Sequence, residues 1–306
     1  MNWKENLKLR RKTKKSTPSN KESQKIILQS PFDFGVIRNG GRRGTKYAPE
    51  AILASLYKLT NIEDYSLSLK PPLYPPEKDL LSEFDYFQNI EMEHFKKCII
   101  QSPESLVHLG GGHDHIYPLL LSLLSRLFQS SKKIVILNID AHLDTRNDSI
   151  NHSGTPFRQI HHHLNKSSKD FVIYQYGIHT YANHETSFEE MENMKVIYYE
   201  NSIQGKLSEN LRENLKKHQE AGDFLFLSLD CDGLDGSFMS AVSAPNHNGL
   251  SKQEFNIILE NCLDYWSSTG TPRLYGIYEY NPLYDDNAGT SARYLASTIH
   301  RFFSKS

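Results

Sequence analysis

The chain has 306 residues, 38% of them hydrophobic and 23% charged, with a formal charge of -1. That length suffices for one large α/β domain, and the balance excludes disordered, collagen-like and strongly basic nucleic-acid-binding classes. No stretch reaches membrane-spanning length, and the widely spaced Cys98, Cys231 and Cys262 form no disulfide framework, so neither nucleic acid nor membrane is expected as a partner and a reducing, cytoplasmic compartment is expected.

Residues 1–26 contain LKLRRKTKKSTPSNKESQK, a run rich in Lys, Arg and Ser without the apolar segment of a secretory signal, and read as a solvated, frayed basic arm. Residues 27–306 read as one α/β domain. Short apolar runs recur along it: FDFGVI, SLVHLG, KIVILNID, DFVIYQYGI, MKVIYY, FLFLSLD and RLYGIYEY. Near-continuous Val, Ile, Leu and Tyr without clean alternation is what parallel strands covered on both faces contain. Between them APEAILASLYKL, YPLLLSLLSRLF, FEEMENM, KLSENLRENLKKHQEA and SKQEFNIILENCLDYW have apolar residues at helical spacing. The alternation predicts a doubly wound three-layer α/β/α domain with a mostly parallel sheet, and PPLYPPEKD reads as a loop.

In open parallel sheets, functional groups gather at the carboxyl ends of the strands. Three polar clusters end three of these runs: GGGHDH after SLVHL, NIDAHLDTR after KIVIL, and SLDCDGLD after FLFL. Asp140, His142 and Asp144 are two apart, so on extended backbone they project to one side, and Asp230 and Asp232 repeat the spacing. With His113 they make four carboxylates and two imidazoles at one sheet rim, a concentration of charge that is costly without cations. Six ligands exceed one tetrahedral site but suit two ions bridged by shared carboxylates roughly 3.5–4 Å apart. Mostly oxygen donors with one nitrogen per ion favour two Mn2+ over zinc, other divalent transition metals being able to substitute.

Other polar groups read more plainly. His161, His162 and His163 have no spaced carboxylate partner and read as surface residues. Cys231 points away from its flanking ligands and reads as core. The glycines of GGGHD are followed by no GK[ST], so they free a turn for His113 and do not cradle a phosphate.

The motifs GGGHD, DAHLD and DCDGLD, in this order, with YGIYEYNPLYDDNAGTSARYLA near the carboxyl end, resemble the ureohydrolase family of arginase, agmatinase and formimidoylglutamase. The resemblance implies an arginase-like fold and places His113 on one ion and His142 on the other, with Asp140, Asp144, Asp230 and Asp232 completing and bridging the pair. By the same resemblance Glu279 hydrogen-bonds to the substrate's nitrogen end, and ring-like trimers or hexamers are the family's assemblies. Where arginase and agmatinase have His-Gly, this chain has Ser153-Gly154 in SGTPFRQ, which is similar to formimidoylglutamase, as are RNGGRRG around Arg42 and DAHLDTR with Arg146. Arg42, Arg146, Ser153 and Gly154 are therefore expected to bind substrate, the guanidinium forks suiting carboxylates. Two segments depart from the family: Ser240-Ala241 replaces its Pro-Gly, and GIHTYANHETSFEEM matches none of its substrate loops.

The expected activity is hydrolysis of a C–N bond in a linear amidine, N-formimidoyl-L-glutamate giving L-glutamate and formamide as in histidine degradation, with Asp144 moving a proton and Glu279 holding the amidine. The alternatives are an agmatine or guanidino-acid hydrolase releasing urea, and a non-catalytic ureohydrolase-like binding protein.

Overall fold

The computed structural model describes residues 25–60, 62–75, 79–125, 132–199 and 206–304; the expected arm up to residue 24 lies outside them. In chain order the strands are β1 (Lys25–Gln29), β2 (Ser68–Leu69), β3 (Ser105–Leu109), β4 (Ile134–Ile139), β5 (Phe171–Ile178), β6 (Met194–Tyr198), β7 (Phe224–Asp230) and β8 (Arg273–Tyr278). The α-helices among the described residues are α1 (Phe34–Arg38), α2 (Ala48–Leu56), α3 (Phe84–Cys98), α4 (Ile116–Leu124), α5 (Pro156–Lys166), α6 (Lys206–Ala221), α7 (Lys252–Thr269) and α8 (Thr290–Ser304). The strands form one sheet in the order β2-β1-β3-β8-β7-β4-β5-β6, and every pairing is parallel. The expected mostly parallel sheet is thus wholly parallel.

The strand period of two sorts the apolar residues into two cores. In β4, Val135, Leu137 and Ile139 pack with residues of α2, α6, α7 and α8. Ile134 and Ile136 face the other way, onto α3, α4 and α5. Both faces are apolar because both are covered, which explains why alternation is invisible in the sequence.

Two expected elements are corrected. FDFGVI is not a strand: the place beside β3 is taken by KIILQ, which pairs with it from Lys25↔Ser105 to Gln29↔Leu109, and Phe34–Arg38 folds as α1. Lys25 and Ile26, read from sequence as the end of the arm, lie in β1. FEEMENM forms no α-helix; a 3-10 turn at Glu185–Ser187 precedes irregular chain, and Met194 already belongs to β6. Seven residues are too few for a helix without packing, and Glu189 is drawn to Asn147 and Arg158 at 3.0 and 2.9 Å. The described part of PPLYPPEKD is loop, as expected.

Candidate metal centre

Of the six residues selected from the sequence as metal ligands, Asp230 ends β7 and the other five stand just beyond the carboxyl ends of β3, β4 and β7, and Glu279 follows β8; these four strands are neighbours at the centre of the sheet. After β3 the glycine run passes against the backbone of Phe32, so close that a Cβ on Gly111 would lie 1.8 Å from its carbonyl oxygen. The chain then enters a 3-10 turn, His113–His115, which presents the His113 ring inward. That ring is fully buried, stacked on Tyr278 at 4.9 Å and edge-on to Phe157 at 5.3 Å, and its Nε2 lies 2.9 Å from Ser228 Oγ.

His113 Nδ1 lies 3.2, 2.9 and 3.1 Å from carboxylate oxygens of Asp140, Asp144 and Asp230. None of the three completes a hydrogen bond with it. His142 Nδ1 lies 3.2 Å from Asp232 Oδ2 and 3.5 Å from Asp140 Oδ1. The ligand atoms fall into two groups, His113 with Asp140, Asp144 and Asp230, and Asp140 with His142 and Asp232, each within 4.8 Å of one another. Asp140 belongs to both. The loops that carry these acids touch because Gly233 has no side chain: a Cβ there would sit 2.8 Å from the N and Cα of Asp140.

The electrostatics are those of acids crowded around two histidines. Burial works against a charged His113, yet Asp140, Asp144 and Asp230 carry it well above the ordinary histidine range. Asp232, with Asp140, does the same for His142. Burial and neighbouring carboxylates push Asp144 up to about 6 and Asp230 well above the usual carboxylate range. Burial also raises Glu279 to about 8, against the hydrogen bond that its Oε1 accepts from the His113 N–H at 3.0 Å. Asp140 is the exception: burial favours its proton, but the two histidines hold it well below the usual range. Asp144 and Glu279 also adopt left-handed backbone, at φ 50° and 60°, a strained state for residues with side chains.

These residues fit two divalent ions. A proton on His113 Nε2, shared with Ser228, leaves the Nδ1 lone pair facing three carboxylates, and Asp232 Oδ1 is buried without a partner. Dications satisfy both conditions and remove the like-charge repulsion.

Above the acids opens a cavity of about 450 Å³, within the range of small-molecule sites. It is lined by the expected Arg42, Arg146, Ser153, Gly154 and Glu279 together with His142, Asp144, Asp230 and Asp232. Arg146 is held from both sides: Nη1 donates to Asn39 Oδ1 at 2.6 Å and Nη2 meets Asp148 Oδ2 at 2.6 Å. Arg42 is exposed, its guanidinium 4.9 Å from the centre of the Tyr284 ring. Ser153 is buried and accepts from Asn39 Nδ2 at 3.2 Å. Sequence reasoning missed Asn39, Asn183, His184, Ser187 and Ser243 on the cavity wall. Three of these fall in GIHTYANHETSFEEM, whose departure from family loops was the available signal. Of the three histidines expected at the surface, His162 is exposed and His161 and His163 are half-buried, while Cys231 is fully buried in the core, as expected.

A profile described as the arginase family matches residues 23–304. Among curated proteins, formimidoylglutamase of Vibrio parahaemolyticus is 31% identical, covering 92% of this chain and 83% of its own length. Formimidoylglutamase of Hahella chejuensis is 33% identical over 87% of this chain and 80% of its own. Among solved structures, Trypanosoma cruzi formiminoglutamase with Mn2+ superposes with a TM-score of 0.73 at 23% identity, covering 94% and 95% of the two chains. The agmatine ureohydrolase of Thermoplasma volcanium also reaches 0.73, at 17% identity and 97% coverage of both. At these identities the two structures speak for the fold.

Proposed function

The chain belongs to the arginase family, and on that footing we propose that it is a binuclear-metal hydrolase of linear amidines that converts N-formimidoyl-L-glutamate and water to L-glutamate and formamide. The observation that carries the reading is the pair of ligand groups sharing Asp140 beneath a cavity that two arginines also line. His113, Asp140, Asp144 and Asp230 would hold one Mn2+, and Asp140, His142 and Asp232 the other; other divalent transition metals can substitute. The substrate assignment is supported by Ser153 in place of the family's His and by the name of the curated relatives that align along most of the chain.

Two dications, when bound, make a water molecule acidic enough to attack near neutral pH. Asp144 accepts the proton released by that water and passes it to the glutamate nitrogen, while the C–N bond to the formimidoyl carbon breaks and the oxygen stays on the carbon as formamide. Its carboxylate lies 2.9 Å from His113 Nδ1 on a left-handed backbone. Glu279, tied to the His113 N–H, accepts hydrogen bonds from the amidine nitrogen. Arg42 and Arg146 hold the substrate carboxylates, and Ser153 and Gly154 line the wall beside them.

The test is a panel of formimidoyl-glutamate, arginine, agmatine and guanidinobutyrate with manganese-loaded protein. Formamide and glutamate are the expected products of the first, with no urea from the others. Urea release as the main activity would overturn the substrate assignment, and turnover retained in Asp144→Asn or His142→Ala would overturn the catalytic one.

A further inference from the structure

The two histidines of the centre are held in different ways. The His113 ring is fixed by its stack on Tyr278, its edge contact with Phe157 and its bond with Ser228. The His142 ring has no such support: its side chain is 31% exposed, and among the described residues its only polar neighbours are the carboxylates of Asp140 and Asp232. Its direction therefore depends on the backbone that carries it.

Beside the bonds from the His142 N–H to Asp140 Oδ1 at 2.7 Å and from the His179 N–H to the Ala141 carbonyl at 3.0 Å, a carboxamide grips that backbone on both sides of His142. Asn183, in the loop after β5, accepts from the Leu143 N–H through Oδ1 at 2.8 Å. Its Nδ2 donates to the Ala141 carbonyl at 3.1 Å and to its own loop at the His179 carbonyl, 2.8 Å away. The Asn183 side chain thus pairs with the residues on either side of His142, as a neighbouring strand would, at a point where the sheet has already ended. A second amide extends the grip. Gln175 Nε2 donates to the Leu143 carbonyl at 3.0 Å, and Gln175 Oε1 accepts at 2.8 Å from Asn138, whose Nδ2 also reaches Asp140 Oδ2 at 3.2 Å. Between them Asn183 and Gln175 satisfy both backbone groups of Leu143, the residue before Asp144 and its left-handed turn.

We infer that Asn183, backed by Gln175, is a positioning residue that keeps the His142 backbone in place to bind the ion shared by Asp140 and Asp232. The inference rests on the two-metal reading. An orienting residue outside the ligand set typically affects metal affinity about ten- to hundredfold. Asn183→Ala removes its bonds to the Leu143 N–H and the Ala141 carbonyl and leaves the Gln175 bond to the Leu143 carbonyl in place. Asn183→Asp keeps the acceptor for Leu143 but sets a carboxylate against two carbonyl oxygens.

The experiment is calorimetric titration of metal-stripped protein with Mn2+, alongside the melting temperature of the same stripped samples. The parent chain takes up two ions. In Asn183→Ala and Asn183→Asp one ion binds about ten- to hundredfold more weakly, while the other keeps the parent's affinity. In His142→Ala, where that weaker ion is already lost, adding Asn183→Ala leaves the remaining ion unchanged. Unaltered binding of both ions in the variants would overturn the inference. So would equal weakening of both together with a lower melting temperature of the stripped protein, the mark of a general structural role. A parent chain that takes up fewer than two ions would overturn the two-metal reading itself, a result separate from either.

Discussion

His108 lies in the middle of β3 with no exposure, and its hydrogen bonds fix its protonation state. Ser30 donates its hydroxyl proton to Glu91 Oε1 at 2.6 Å, so its oxygen is left to accept from His108 Nε2 at 2.9 Å. Nδ1 then accepts from the Tyr278 hydroxyl at 3.0 Å. A neutral ring satisfies every partner, and a second proton would break the Tyr278 bond. Burial, helped by the charge on His115, accordingly holds His108 well below the ordinary histidine range. A depressed folded-state value means that the stability contributed is present above the unfolded value near pH 6.5 and is lost as pH falls below it, at up to about 1.4 kcal/mol per pH unit. The urea midpoint of the parent should therefore drop between pH 7.5 and 5.5 by more than that of His108→Gln; equal slopes would contradict the account. The acids and histidines gathered at the sheet rim were legible because a dication demands particular side-chain types at close spacing, although Asp140, His142 and Asp144 lie beyond β4 and not along an extended strand. His108, Asn183 and Gln175 were not, because their partners are backbone groups or residues brought in from distant segments.

Among the elements, the strands were the more legible: six of the seven apolar runs form strands where expected, because a fully covered strand needs no polar positions. KIILQ escaped because three apolar residues adjoin a basic run. Helices α3, α5 and α8 escaped as well. The first carries buried Gln88 and Glu91 among its apolar residues, so its inward face is not marked by hydrophobicity alone. Glu91 there binds His115 Nδ1 at 2.7 Å, clipping the helix to the turn that presents His113. Helix α7 was legible from its apolar spacing, and a cap that the spacing does not mark closes its start. Ser251 Oγ accepts from the Glu254 N–H at 3.2 Å and Glu254 Oε2 accepts from the Ser251 N–H at 2.8 Å, a reciprocal cap. Ser251→Ala should lower unfolding free energy by about 1 kcal/mol in urea titrations without changing turnover, since α7 packs on the sheet face opposite the one on which the His113 ring meets Phe157 and Tyr278. A loss of turnover in a folded Ser251→Ala would show that this helix communicates with the centre.

At the scale of the whole molecule, a chain of net charge -1 gathers its acids where the sheet can least disperse them. Asp140 and Asp230 are almost fully buried, Asp144 and Asp232 nearly so, and Asp230 lies beside both Asp232 and Asp140 in its electrostatics. Folding without cations must bring these carboxylates together against their mutual repulsion, and folding with cations gains from the same arrangement. A single substitution should therefore change sign with metal. Asp230→Asn keeps the shape of the side chain and removes one of the crowded acids, so the stripped variant should unfold at higher urea than the stripped parent, by about 0.5–2 kcal/mol. Loaded with manganese, the order should invert, because the parent gains about 2.7 kcal/mol per site when the ion is a hundredfold above its dissociation constant and the variant binds the first ion less tightly. Urea unfolding of both proteins, with chelator and with saturating Mn2+, measures all four values. If Asp230→Asn shifts stability in the same direction in both conditions, the acids are not held together at the expense of the metal-free fold.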